Sequence, residues 1–159
     1  MRRVWAHRGE RPLALGQRRY EWLYIYGFVR PGGGEVQWLI LPEVDTEVFS
    51  LALEHFAEAV GAGPRKRIVL VLDRAGWHAS KKLVIPEGIH LVFLPAYSPE
   101  LQPAEHLWPL VHEAMANRRI ETLDQLEDLL TERCRALAAD AALIRSNTLF
   151  HWWPIDYAR

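Results

Sequence analysis

Two short runs of apolar residues constrain the fold of this chain more than any other feature. Residues 68–72 read I-V-L-V-L, and residues 89–94 read I-H-L-V-F-L. Strands that are buried on both faces show such near-continuous apolar runs, whereas half-exposed strands alternate apolar and polar residues. Each run ends in a polar turn sequence. The two runs therefore predict neighbouring buried strands in an α/β layer fold.

The segments before the first run predict a β-hairpin and a short strand. Residues 21–30 are aromatic and β-branched, which favours a strand, and residues 36–41 form a second apolar stretch. The P-G-G-G sequence at residues 31–34 between them is a strong turn signal. Further upstream, residues 4–6 predict one more short strand.

Three segments show helical patterns. Apolar residues recur at helical spacing from Phe49 to Val60, after Asp45 as a candidate N-cap and before a Gly/Pro-rich stop at residues 61–64. Residues 105–117 predict a second helix, with its proline near the first turns. A Thr122-x-x-Gln125 capping box opens a third, long helix that ends near residue 140. The element order of two strands, a helix, two strands and two helices predicts an α/β fold with a mixed sheet.

Composition excludes several classes of protein. The 159 residues predict a single domain over residues 1–159, and half of them are hydrophobic. The single cysteine, Cys134, excludes an internal disulfide framework and fits a reducing compartment. No apolar run approaches the roughly 18 residues of a membrane span, and the N-terminus has no signal-peptide pattern, so we expect a cytoplasmic protein with no membrane partner.

Charge gives no global case for nucleic-acid binding, because the formal net charge is −1. Any contact with DNA would depend on local basic clusters such as residues 65–67 and 81–82. The Trp152-Trp153 pair near the C-terminus either anchors the tail in an apolar groove or forms a stacking platform for a partner.

Two acids follow the two apolar runs. Asp73 comes directly after the first run, and Glu105 follows 32 residues later, after a proline-rich loop. Ligand sites in α/β sheets gather at the carboxyl ends of strands, and carboxylates are the ligands that Mg²⁺ prefers. Each acid alone has a simpler explanation, since Asp73 can cap a turn and Glu105 suits the first turn of a helix. Together they suggest a metal-dependent phosphoryl-transfer site, although no third carboxylate is obvious.

A longer pattern surrounds the two acids. It reads D-R-A-G-W-H from residue 73, then L-P-A-Y-S-P-E-L-Q-P-A-E-H-L-W from residue 94. This pattern resembles the catalytic domain of bacterial insertion-sequence transposases of the mariner superfamily. The matching residues are Asp73, His78, Leu94, Pro95, Tyr97, Ser98, Pro99, Leu101, Pro103, Glu105 and Trp108. Residues 4–6, 20–27 and 152–154 also look like parts of that domain, so the likeness covers nearly the whole chain.

The resemblance implies an RNase H-like mixed sheet flanked by helices, with an Asp-Asp-Glu triad that binds two Mg²⁺ or Mn²⁺ ions. Asp73 would be the second acid and Glu105 the third. The implied reaction is DNA transposition: hydrolytic nicking of the transposon ends by this endonuclease domain, followed by attack of the freed 3′-OH on target DNA. The residues expected beside the metal ligands or near the DNA are His78, Arg74, Tyr97, Ser98 and Gln102. Many relatives have Asn at the positions of Arg74 and Gln102, and both replacements leave the metal ligands intact.

The first acid is the largest departure from the family. In relatives it lies on the first strand, upstream of the segment that resembles residues 2–5, so its position falls before Met1. The N-terminal helix-turn-helix region also has no counterpart. The resemblance thus predicts a catalytic domain that lacks its N-terminal part and first strand. Such a chain would be inactive alone and would be completed by an upstream transposase segment, and a homodimer is a further partner to expect.

Two other readings stay open. The chain could be a non-catalytic transposase remnant that acts as a DNA-binding or inhibitory protein-interaction module. It could also be an RNase H-like nuclease unrelated to transposition, in which Asp45 or Glu35 supplies the missing acid. Against this last reading, Asp45 looks like a helix cap and Glu35 like a hairpin residue.

Overall fold

The computed structural model of the chain describes Arg8, residues 22–151 and Trp153. The strand predicted at residues 4–6 and the residue Trp152 lie outside this part. The described chain contains strands β1 (Tyr24–Arg30), β2 (Glu35–Leu41), β3 (Ile68–Leu72) and β4 (Ile89–Phe93), helices α1 (Thr46–Val60), α2 (Leu107–His112), α3 (Leu123–Ala138) and α4 (Ala141–Thr148), and 3₁₀ turns at Pro99–Leu101, Pro103–His106 and Glu113–Met115.

The predicted hairpin is confirmed. Strands β1 and β2 pair antiparallel, in a register that runs from Tyr24 opposite Leu41 to Arg30 opposite Glu35. Gly34 closes the turn with φ +79°, a left-handed conformation that L side chains rarely adopt. A Cβ on Gly34 would also collide with the backbone oxygen of Ala141, where α4 begins. Glycine is therefore required where the hairpin turn meets this helix.

The two apolar runs form the predicted neighbouring strands. β3 and β4 pair parallel, from Ile68 opposite Ile89 to Leu72 opposite Phe93. The fold thus combines antiparallel and parallel pairing, as the prediction of a mixed sheet requires. Among the described residues, however, the β1–β2 pair and the β3–β4 pair are separate two-stranded sheets.

Helix α1 joins the two sheets. It begins as predicted at Asp45, whose side chain accepts a hydrogen bond of 2.8 Å from the Val48 N–H, and it ends at Gly61 in the left-handed conformation. Its buried face includes Phe49, Leu53 and Phe56, and it packs in one cluster with side chains from all four strands. Burial of this face holds the hairpin and the parallel pair together.

The opposite faces of the two sheets differ. Helices α2, α3 and α4 cover the second face of β1–β2, through a cluster that includes Leu107, Leu137 and Ile144, each at most 1% exposed. On β3 and β4 the residues that alternate with the core positions point away from α1. Of these, Val69 is 63% exposed and Val92 is 48% exposed. In the described part of the chain, the β3–β4 sheet is therefore covered on one face only.

The segment predicted as a helix at residues 105–117 is helical, but only part of it is an α-helix. The α-helical part is α2, which has six residues, and 3₁₀ turns precede and follow it. Prolines at 99 and 103 lack the N–H that would continue a longer ladder of hydrogen bonds, so the chain makes two separate single turns before α2. Pro109 lies at the third position of α2, in its first turn as predicted.

Helix α3 begins after its N-cap Thr122, as predicted, but the segment that follows the helix was predicted wrongly. The Thr122 side chain accepts from the Gln125 N–H, whereas the Gln125 side chain accepts from the Glu121 N–H rather than from the Thr122 N–H of a capping box. The helix ends at Ala138, and Asp140 caps the additional helix α4, which was not predicted. None of the described helices combines the length and the apolar character needed to cross a lipid bilayer.

Candidate active site

Asp73 is positioned by the end of β3. Strand pairing continues one residue past β4, because the Leu94 N–H donates to the oxygen of Leu72, the last residue of β3, at 2.9 Å. Asp73 follows at once, and its Oδ1 atom accepts a 3.1 Å hydrogen bond from the Ala75 N–H two residues on. Asp favours such turns because its side chain bonds to the backbone two residues later. The acid therefore lies on a short turn at the carboxyl end of a core strand, with its side chain 55% exposed.

His78 lies directly behind Asp73. Its Nδ1 atom is 2.7 Å from Asp73 Oδ1, and its side chain is 13% exposed. The ring packs on Phe49 of α1, with 4.3 Å between ring centroids, and on the edge of Trp77 at 5.6 Å. The turn that carries the acid is thus attached to the core by the histidine.

Glu105 is positioned by the proline-rich loop after β4. The loop folds into the two 3₁₀ turns, and the Glu105 N–H donates to the Gln102 oxygen at 3.0 Å in the second of them. Pro103 and Leu107 on either side of the acid are buried, whereas Glu105 is only half-buried. Buried neighbours anchor this segment and leave the carboxyl group available at the surface.

Tyr97 has an unusual backbone conformation. Its φ angle is +58°, in the left-handed region, and its side chain is fully exposed at the tip of the loop after β4. A non-glycine residue in this region costs on the order of 1–2 kcal/mol. The loop is held by its own contacts, including a 3.4 Å hydrogen bond from the Ser98 hydroxyl to the Ala96 oxygen.

One cavity of about 380 Å³ brings the two acids together. Six of the seven site residues predicted from the sequence line it: Asp73, Arg74, Tyr97, Ser98, Gln102 and Glu105. His78, the seventh, contacts Asp73 through its Nδ1 atom and lines a different cavity together with residues of β4. Asp45 and Glu35 do not line the shared cavity. Asp45 caps α1, and Glu35 forms a 3.3 Å ion pair with Arg30 in the hairpin.

The donor set of this cavity suits a hard divalent cation but is small. Carboxylate oxygens are the ligands that Mg²⁺ prefers, and Mg²⁺ is commonly held by one or two carboxylates together with substrate phosphates. Asp73 and Glu105 supply two such groups. In the described part of the chain, no group of three or more His, Cys, Asp or Glu side chains could hold a metal ion. The residues therefore fit part of a cation site.

Several groups around the site were not predicted. The Ala75 N–H, which engages Asp73, and the Phe49 ring, which packs on His78, both emerge only from the tertiary structure. Helical periodicity identified Phe49 as a core residue, but it contains no signal for the residue that packs on it. Pro95, Ala96 and Pro99 complete the cavity wall and already belonged to the sequence motif.

Comparison with known proteins identifies the family. The model of the DDE superfamily endonuclease family matches residues 1–127. An uncharacterized protein of Sinorhizobium fredii, y4pE/y4sA, is 39% identical over 115 residues, which cover 72% of this chain and 82% of that protein. The chain therefore belongs to the DDE superfamily endonucleases.

The fold has a solved counterpart. A chain in the crystal structure of the Mos1 strand transfer complex superposes with a TM-score of 0.56 at 13% sequence identity. The match covers 94% of this chain and 50% of the Mos1 chain, so this chain spans half the length of its solved relative. The RNase H-like α/β fold predicted from the sequence is confirmed by this match.

Proposed function

We propose that this chain is the part of a transposase catalytic domain that carries the second and third metal-binding carboxylates, Asp73 and Glu105. The observation that carries the proposal is their position in one cavity, at the ends of the parallel strands β3 and β4, in a member of the DDE superfamily endonucleases. The motif from residue 94 to 108 favours the mariner superfamily of insertion-sequence transposases. The substrates are then the DNA of transposon ends and target.

The cation is Mg²⁺ or Mn²⁺, and two ions would be held in the complete site. Bound cations of this kind stabilise the attacking and leaving oxygens of phosphoryl transfer. Asp73 and Glu105 line the same cavity, and Arg74, which also lines it, adds a positive charge that suits a DNA phosphate. Ser98 and Gln102 also line the cavity and offer hydrogen-bond donors, and Tyr97 adds a fully exposed side chain to its lining.

The chain alone is a poor catalyst in this proposal, because none of the described residues supplies a third carboxylate to the cavity. The missing acid comes from one more strand between β1 and β3, contributed by an upstream transposase segment with a helix-turn-helix. In support, α1 packs against both β1 and β3. These two strands are not paired to each other, and no described strand lies between them. A strand in that position would join both pairs into one mixed sheet and end beside Asp73.

Mn²⁺ binding, measured by electron paramagnetic resonance, tests the assignment of the two acids. We expect Asp73→Asn and Glu105→Gln each to weaken Mn²⁺ binding about tenfold or more, since each removes one of few charged ligands. Asp128→Asn, on the exposed surface of α3, is the matched control and should bind as the parent does. Equal binding by the parent and these three variants would refute the site.

Asp45→Asn and Glu35→Gln should also leave Mn²⁺ binding unchanged. A loss of binding in either variant would favour the alternative of a nuclease with an internal third acid.

Nicking of supercoiled plasmid DNA with Mg²⁺ or Mn²⁺ tests the incomplete state. We expect little or no nicking by the 159-residue chain, and restored nicking when the upstream transposase segment is fused or co-expressed. Strong, Asp73-dependent nicking by the chain alone would contradict the need for an outside acid.

The second candidate is a non-catalytic remnant that binds DNA or another protein, for example an intact transposase or a second copy in a homodimer. The exposed Val69 and Val92 on the open face of β3–β4 favour an interaction role. Co-purification with an intact transposase, lost on Val69→Lys, together with no Mn²⁺ binding at Asp73, would favour this function over the first.

A further inference from the structure

The two carboxylate oxygens of Asp73 have different surroundings. Oδ1 accepts two hydrogen bonds, from the Ala75 N–H at 3.1 Å and from His78 Nδ1 at 2.7 Å. No donor from the described residues reaches Oδ2. One oxygen is thus held by the protein, while the other is left for an external partner.

The hydrogen-bond partners determine which nitrogen of His78 carries a hydrogen. An ionised carboxylate can only accept, so Nδ1 must donate to Asp73. The other nitrogen, Nε2, is buried and finds no hydrogen-bond partner within the described structure. Within the described structure, the contact with Asp73 is therefore the only hydrogen bond of the His78 ring.

The His78 ring is mostly buried and lies outside the cavity of the two acids. It is enclosed between Phe49, at 4.3 Å, and Trp77, at 5.6 Å, with only 13% of the side chain exposed. It is also absent from the wall of the cavity that contains Glu105. Direct contact with a phosphate would require the ring to leave its packed position and to release Asp73.

We propose that His78 is a positioning residue: its Nδ1–H engages Oδ1 of Asp73, so that Asp73 meets a divalent cation through Oδ2. The role rests on the proposed function of Asp73 as a metal ligand. Groups that hold a ligating side chain in place commonly change metal affinity by about 10–100-fold when they are removed. His78 acts in this way through Asp73. Its ring packs on Phe49 of α1, and this contact holds the histidine, and with it the acid, against the helix.

Two substitutions separate the hydrogen bond from the packing of the ring. His78→Phe keeps an aromatic ring against Phe49 but removes the donor. His78→Asn removes the ring but keeps an N–H near the place of Nδ1, because the Asn amide nitrogen lies at the same number of bonds from the backbone. The measurements are Mn²⁺ affinity by electron paramagnetic resonance and the midpoint of thermal unfolding, with Asp73→Asn as reference.

We expect opposite patterns from the two variants. His78→Phe should bind Mn²⁺ about tenfold more weakly while unfolding close to the parent temperature. His78→Asn should unfold at a lower temperature, because it leaves a cavity beside Phe49, while its Mn²⁺ affinity stays within about threefold of the parent. A merely structural histidine would give the reverse, with affinity falling only where stability falls.

Two results overturn the proposal. Parent-like Mn²⁺ binding by His78→Phe would remove the role of His78 and leave that of Asp73 intact, provided that Asp73→Asn weakens binding. Parent-like binding by Asp73→Asn would remove both and refute the proposed function itself. Nitrogen-15 NMR of the metal-free chain adds an independent readout: we expect the hydrogen on Nδ1 of His78, and a ring with hydrogen on Nε2 only would also overturn the proposal.

Discussion

The β1–β2 hairpin and the β3–β4 pair are both two-stranded sheets that pack on α1, yet among the described residues only the hairpin is covered on both faces. Its second face lies under α2, α3 and α4, whereas that of β3–β4 exposes Val69 and Val92. The candidate acids belong to the open half. Asp73 ends β3, and Glu105 follows the loop after β4.

This difference shows a division of roles within the fold. Both sheet faces of the covered half contribute to the hydrophobic clusters. The described residues of the open half leave the apolar face with Val69 and Val92 exposed, where another polymer could make contact. A chain of rings from Tyr26 through Phe49 to His78 connects the two halves, with centroid distances of 5.5 and 4.3 Å.

The largest expected effect contrasts one core residue of the covered half with one apolar residue of the open half. Leu107→Ala should lower the free energy of unfolding by about 2–5 kcal/mol, since Leu107 is fully buried against the hairpin. Val69→Thr should change it by less than about 0.5 kcal/mol, because Val69 is mostly exposed and threonine keeps the β-branched shape. Urea unfolding measures both, and equal losses would mean that another layer of the protein already covers Val69.

The next effect compares one glycine from each half. Gly34→Ala should destabilise by roughly 1–3 kcal/mol, because the left-handed φ and the Ala141 backbone both oppose a Cβ. Gly76 lies in the turn after Asp73, has nothing within 4 Å of an added Cβ and does not have a positive φ. Gly76→Ala should therefore unfold like the parent or be slightly more stable. If thermal unfolding ranked the two variants the other way, the contact between the hairpin turn and α4 would be in doubt.

The smallest expected effect concerns Tyr26, the first of the three aromatic rings that connect the two halves. Burial, and then the nearby charge of Asp45, raise the pKa of Tyr26 from 10.0 to about 12. Above pH 10 the unfolded chain loses this phenol proton before the folded chain does, so the free energy of unfolding falls as the pH rises toward about 12. Below pH 10 the contribution is fully present.

Tyr26→Phe removes this titration. It also removes a buried hydroxyl that has no hydrogen-bond partner in the described structure. The unfolding temperature of the variant, relative to the parent, should therefore rise between about pH 9 and pH 11. A difference that stays constant over this range would show that Tyr26 is not the group that titrates.

Much of the fold could be predicted because local signals and burial agreed. The apolar runs gave β3 and β4, the glycine-rich turn gave the hairpin, and Asp45 and Thr122 gave the starts of α1 and α3. The failures lie where tertiary contacts outweigh local pattern. Helix α4 has only eight residues and weak periodicity, and it is stabilised by burial of Ile144 and by its contact with Gly34. The helix predicted at residues 105–117 is α-helical only over the six residues of α2, with 3₁₀ turns on either side.

The sequence by itself determined the motif, the order of the elements up to α3 and the identity of six residues that line one cavity, because residue types and spacing are written in it. Only the tertiary structure decided that His78 lies behind Asp73 rather than in the cavity, since that depends on the packing of Phe49 from a distant helix. It also decided that, within the described part of the chain, one sheet is covered on both faces and the other on one. Burial is a property of neighbours brought together by folding, and no local pattern specifies which neighbours those are.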